Sequence, residues 1–168
     1  MRVAVTGTPG TGKTAATDRL QTDLSVIHLN DVIRAEELYT DVDETRDSVV
    51  ADLDAVREWL AGREDVIVES HLAHHVDADR VIVLRCHPTE LVERLVGRGE
   101  PRSKAEENAE SEALDVILAE AVQRHGRDAV YEIDTTERDI GETAAEIERV
   151  LDGTRDPSAG TVDFTNYL

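Results

Sequence analysis

An eight-residue run near the start, Gly7-Thr8-Pro9-Gly10-Thr11-Gly12-Lys13-Thr14, limits what this chain can fold into more than any other feature. It fits G-x-x-x-x-G-K-[ST], it follows the apolar run Val3-Ala4-Val5, and Ala15, Ala16 and Leu20 open a helix after it. A strand that turns through such a loop into a helix gathers backbone N–H groups and the positive helix end around one point, and that point suits a phosphate. Gly10, Thr11, Gly12, Lys13 and Thr14 are therefore the expected cradle for a nucleoside triphosphate, with Lys13 reaching the β and γ phosphates and the Thr14 hydroxyl available to Mg²⁺.

The rest of the chain alternates short β-branched runs with longer amphipathic stretches, which predicts an α/β fold with a five-stranded parallel sheet flanked by helices. Strands are expected at 2–6, 26–29, 66–69, 81–85 and 130–134, and helices at about 13–22, 31–38, 49–61, 89–96, 104–124 and 137–151. Pro88-Thr89 with Glu90 marks one helix start, and Ser103 with Glu106 reads as a capping box at another. Residues 1–151 form one expected domain. The remaining 152–168 are rich in Gly, Pro, Ser and Asp, yet hold the only Phe of the chain, Phe164, so a disordered terminus and a docked one are both open.

Composition removes several classes. Thirty-seven acidic residues against 18 basic ones give a net charge of −19, which argues against direct binding to a nucleic-acid backbone. Among the basic residues only Lys13 and Lys104 are lysines, and with 3% aromatics this composition resembles that of proteins from a salt-filled cytoplasm. One cysteine cannot pair within the chain, and no apolar stretch approaches the ~20 residues of a membrane span. A cytoplasmic protein without a membrane segment is expected.

A magnesium site needs a carboxylate at the end of a neighbouring strand, and Glu69 closes the run Val66-Ile67-Val68. His71, two residues on, falls where ligands collect in open α/β sheets and is placed to orient an attacking water or hydroxyl. His74 and His75 follow, but "HLAHH" has no nearby Cys and no H-E-x-x-H spacing, so the sequence by itself gives no metal site there. No N-K-x-D follows a later strand, which disfavours a GTPase. A phosphotransferase needs cations for a second anion and a flap that shuts out water. Arg34 stands after the second strand, and Arg98, Arg102 and Lys104 lie in "GRGEPRSK", a Gly-Pro-interrupted link between two helices; Arg85 and Arg94 carry less of the argument.

The combination of "GTPGTGKT", "NDVIRAEELY", "VIVESH" and "LRCHPTELVERLVGRG" followed by "ENAESEALDVILAEA" resembles the adenylate kinase isoenzyme 6 family of archaea and eukaryotes over roughly residues 1–150. The resemblance implies a P-loop nucleoside monophosphate kinase using ATP and Mg²⁺, with AMP or a related monophosphate as acceptor. It also implies ATPase activity and a role in small-ribosomal-subunit maturation through universal small-subunit ribosomal protein eleven. By position it places Gly10, Gly12, Lys13, Thr14 and Ala15 on the triphosphate and Arg98 closing on it from a lid of about 97–107. It places the monophosphate in 28–51, with Arg34 on its phosphate, and matches Glu69 and His71 to the family's acid and histidine. Read from the residues alone, the chain is a P-loop kinase of a small molecule. A nucleotide-controlled assembly ATPase and a kinase of a non-nucleotide alcohol remain the other readings.

Overall fold

The computed structural model describes residues 1–45 and 48–168. Five parallel strands form the central sheet: β1 (Arg2–Thr6), β2 (Ser25–His28), β5 (Val66–Glu69), β6 (Arg80–Arg85) and β7 (Val130–Asp134), in the order β2-β5-β1-β6-β7. Alternate residues of each strand point to opposite faces, and both faces of the inner strands are covered, so β1, β5 and β6 read as near-continuous apolar runs. Ala4, Val66, Val68, Val81 and Val83 face one core, which α2 (Leu29–Ala35), α3 (Leu53–Leu60) and α6 (Val116–His125) complete with Leu29, Val56, Leu60, Leu118 and Ala121. Val3, Val5, Ile67, Ile82 and Ile133 face the other, where α1 (Lys13–Thr17) supplies Ala16 and α7 (Ile140–Leu151) supplies Ile147 and Val150.

A third cluster, of Cys86, Leu91, Val92, Leu95, Ala105 and Ala109, joins α4 (Pro88–Gly97) to α5 (Arg102–Ala113) as a helical hairpin. Burial pushes the Cys86 thiol up to about 12, so it packs as a small apolar group. Among the described residues no helix is long and apolar enough to cross a membrane.

All five sheet strands fall within a residue of the expected positions, and the departures are local. Residues 49–51, expected in a helix, instead form β4 (Ser48–Ala51), paired antiparallel with β3 (Tyr39–Asp43). Val49 and Val50 favour the strand, and the helix begins only after Asp52, whose carboxylate accepts from the Ala55 N–H at 3.1 Å. The helix expected over 104–124 is two helices, broken where Asp115 adopts φ 56°. Aspartate tolerates that conformation, and here the Asp115 carboxylate is held by the Arg85 guanidinium at 2.6 Å. The Ser103–Glu106 capping box does not form, because α5 starts two residues earlier, at Arg102, with Pro101 in the cap position. The box that does form is Asp139 with Glu142 at the start of α7, later than expected. The first helix is shorter than expected and ends at Thr17.

The tail docks. Ser158 donates its N–H to the Val130 carbonyl on edge strand β7, Glu132 donates its N–H to Ser158 Oγ, and the Gly160 and Thr161 N–H groups both reach Glu132 Oε1. Phe164 is buried, edge-on to His87 and 5.4 Å from the Arg85 guanidinium. A strand edge that would otherwise be open is thereby covered.

Candidate active site

The parallel register brings the ends of β2, β5 and β1 level, with His28 paired to Glu69 and Val5 to Glu69. The loop between β1 and α1 rises from that edge. Gly12 caps α1 at φ 93°, a left-handed conformation natural only to glycine, and a Cβ on Gly10 would stand 2.9 Å from the Leu91 side chain. Lys13 folds back, donating to the Gly7 and Thr8 carbonyls at 2.8 and 3.1 Å. Burial lowers its pKa to about 8, against the opposing pull of Glu69 and Glu112. Thr11 turns its hydroxyl into the loop, onto the Thr8 carbonyl at 2.9 Å.

Thr14 donates its hydroxyl to Glu69 Oε1 at 2.5 Å, so the two expected metal-binding oxygens are already side by side. Oxygen donors of this kind, a hydroxyl and a carboxylate facing a phosphate loop, fit Mg²⁺. The same Glu69 oxygen lies 3.2 Å from His28 Nδ1, and His28 Nε2 lies 2.9 Å from Asp18. Burial by itself would lower the His28 pKa. Glu69 and Asp18 outweigh it and raise it, and the ring bridges the two carboxylates. His71 takes the opposite shift: burial, with the charges of Lys13, His74 and His75, lowers it to about 4 and leaves it neutral at pH 7.

A cleft of about 1120 Å³ gathers these groups. Gly10, Gly12, Lys13, Thr14, Ala15, Glu69 and His71 form one side, and Arg34 of α2, Arg98 at the end of α4 and Lys104 of α5 also line it. Of the expected cradle residues 10–15, Thr11 alone is not on this cleft. It lines a neighbouring pocket of about 570 Å³ with Arg94, Thr135, Arg138 and Ile140, and the two cavities share Gly12, Arg94 and Ile140. Arg102 points elsewhere, exposed and paired with Glu106 at 3.6 Å. Arg85 is not a cleft residue either; it is buried among Glu112, Asp115 and Glu132.

Sequence reasoning missed His28 and Asp18 and gave Arg94 little weight. The signal for His28 was its place at the end of the second strand, legible only once β2 and β5 are known to pair. Arg94 donates to the Thr135 carbonyl at 3.0 Å and to the Gly10 carbonyl at 3.4 Å, tying the phosphate loop to the β7–α7 turn.

The sheet order, the loop and the cleft define a P-loop kinase. Residues 3–115 match the family model described as an AAA domain. Over the whole of both chains the sequence is 66% identical to a protein of Natronomonas pharaonis and 63% identical to one of Halobacterium salinarum, each bearing the name "Putative adenylate kinase". A protein of the same name from Methanocaldococcus jannaschii is 37% identical over 98% of this chain and 93% of its own. The chain belongs to the family these proteins form. Among solved structures, deoxyadenosine kinase from M. mycoides with bound dATP superposes with a TM-score of 0.57 at 16% identity, covering 90% of this chain and 100% of that one. Shikimate kinase from Bacteroides thetaiotaomicron gives 0.55 at 16%, covering 90% and 98%. These two likenesses bear on the fold alone.

Proposed function

We propose that the protein is a nucleoside monophosphate kinase of adenylate kinase type, moving the terminal phosphate of ATP to AMP or a related monophosphate. The observation that carries this reading is the single cleft in which Lys13, Thr14 and Glu69 face Arg34 and Arg98 from separate elements. In the reaction an oxygen of the acceptor phosphate bonds to the γ phosphorus as its bond to the β-γ bridging oxygen breaks. The amides of Gly10 to Ala15 hold the β and γ phosphates, and Lys13 exchanges the Gly7 and Thr8 carbonyls for phosphate oxygens. Arg34 holds the acceptor phosphate, and Arg98 neutralises charge on the transferred group from the lid, about 97–107, where α4 turns into α5. Neutral His71 orients the attacking oxygen. Thr14 and Glu69 hold Mg²⁺, with His28 and Asp18 behind Glu69. The ion, when bound, neutralises β and γ phosphate charge. The second pocket, between Arg94, Arg138 and Ile140, takes the base of the triphosphate.

The charge of −19 favours a second role beside this one. A cleft whose lid closes imperfectly lets water replace the acceptor, which makes the protein an ATPase, and an acidic body steers basic partners. Universal small-subunit ribosomal protein eleven is the proposed partner, small-subunit maturation in the cytoplasm the proposed setting.

ADP formation from MgATP in high salt, with and without AMP, on the wild type and Arg34→Ala, tests the kinase reading. A large rise with AMP that Arg34→Ala removes is expected. Slow turnover indifferent to both sinks it and leaves the ATPase, while stimulation by a non-nucleotide alcohol in place of AMP identifies a metabolite kinase.

A further inference from the structure

Outside the phosphate cleft, the turn Ala73–His75 sets two adjacent histidines against α6. His74 Nε2 and His75 Nε2 lie 2.7 and 3.5 Å from the same atom, Glu120 Oε2, and the three donor atoms fall within 4.8 Å of one another. None of the three residues lines the cleft. We infer that His74, His75 and Glu120 bind a divalent transition ion of the Zn²⁺ type, which clips the turn after β5 to α6.

Two imidazoles and one carboxylate form a donor set suited to Zn²⁺, Co²⁺ or Ni²⁺ and poorly suited to Mg²⁺. With metal–ligand bonds of about 2.0–2.1 Å, tetrahedral ligand atoms stand about 3.3 Å apart, and the two observed separations straddle that figure. His74 is buried, whereas His75 and Glu120 are 30% and 44% exposed, so the two groups that must adjust are the two with room to do so. Their exposure also opens a path for the ion and leaves a position for water.

The surroundings are those of a pre-set ligand. Thr6 Oγ1 lies 2.8 Å from His74 Nδ1, so it can accept a hydrogen bond from Nδ1–H and leave the Nε2 lone pair aimed at the ion. The turn's backbone is fixed from outside: His125 Nε2 donates to the His74 carbonyl at 2.8 Å, and Arg57 Nε and Nη2 donate to the His75 carbonyl at 3.2 and 2.9 Å. Without the ion, His74 donates its Nε2 proton to Glu120 instead, so the same geometry serves both states. Because Thr6 ends β1 and precedes Gly7, the clip braces the sheet edge from which the phosphate loop rises.

The test is titration of the full chain, stripped with chelator and dialysed, with Zn²⁺ by calorimetry and Co²⁺ by visible absorption. Excess Mg²⁺ is present to occupy the Thr14–Glu69 site. One bound equivalent, a rise in melting temperature and a tetrahedral Co²⁺ spectrum are expected. His75→Ala and Glu120→Gln alter part-exposed groups, and metal-free melting checks that each folds. Each should weaken binding about tenfold or more. The inference is overturned by the absence of saturable binding, by binding that both variants leave intact, or by binding lost in His28→Ala but kept in His75→Ala, which would put the ion in the phosphate cleft.

Discussion

Replacing Arg85 with Met should be among the most damaging single changes to this fold. The guanidinium is 1% exposed and donates to Glu112 Oε1 at 2.5 Å, Glu132 Oε2 at 2.8 Å, Asp115 Oδ1 at 2.6 Å and the Glu112 carbonyl at 3.0 Å. One cation among three carboxylates leaves a deficit of positive charge, and it falls on Glu112, where burial raises the carboxyl pKa further than Arg85 can lower it. Asp115 is 34% exposed and can turn to water, and Glu132 keeps the Gly160 and Thr161 N–H groups. Glu112, 4% exposed, cannot turn to water. Breaking a buried pair of this kind costs about 3–5 kcal/mol, a large part of a domain's roughly 5–15 kcal/mol. At about 2–4 °C per kcal/mol the melting temperature should fall by about 6–20 °C. Adding Glu112→Gln removes the stranded charge and should restore about 1–2 kcal/mol. Denaturant unfolding of both variants, in salt high enough to screen the surface pairs, gives the numbers. A loss under about 1 kcal/mol for Arg85→Met, or no recovery in the double variant, refutes the claim that Arg85 neutralises a buried charge.

Three further outcomes follow from the same structure. His71 has its pKa lowered from 6.5 to about 4, so its stabilising contribution is present above pH 6.5 and is lost as the pH falls toward 4; His71→Asn should remove about 2–3 kcal/mol of that acid-side slope in unfolding measured from pH 7 to 4, and an unchanged slope contradicts it. Lys13, lowered to about 8, should take up a proton when MgATP binds at pH 8.5 but not at pH 7, seen by calorimetry in buffers of different ionisation enthalpy; equal heats across buffers at pH 8.5 count against it. With a net charge of −19, the folded state should gain stability between 0.1 and ~2 M KCl as screening shortens from about 10 Å to under 3 Å, and a flat melting temperature contradicts that.

The sheet was legible because its strands are β-branched runs such as Val66-Ile67-Val68 and Val81-Ile82-Val83, and the phosphate loop because its glycines and lysine have fixed spacing. The hairpin was not. Val49-Val50 runs directly into Leu53, Val56 and Leu60, and only the Asp52 cap separates strand from helix. The break at Asp115 depends on Arg85, a residue 30 positions earlier, and no local pattern announces it. The same holds where chemistry is shared between strands: Glu69 could be picked out as a strand-end acid, but His28 beside it follows from register, and Glu120 meets His74 from 46 residues away. Phe164 pointed to a docked tail by its rarity; the partners that receive it, Arg85 and His87, belong to the tertiary fold.

The most direct test of the central claim is where the γ phosphate goes. MgATP labelled in that phosphate, incubated with the protein and AMP in high salt, should place most of the label in newly formed ADP, with Arg34→Ala abolishing the transfer. Label recovered as inorganic phosphate at a rate that neither AMP nor Arg34→Ala changes would contradict the account and make water the acceptor.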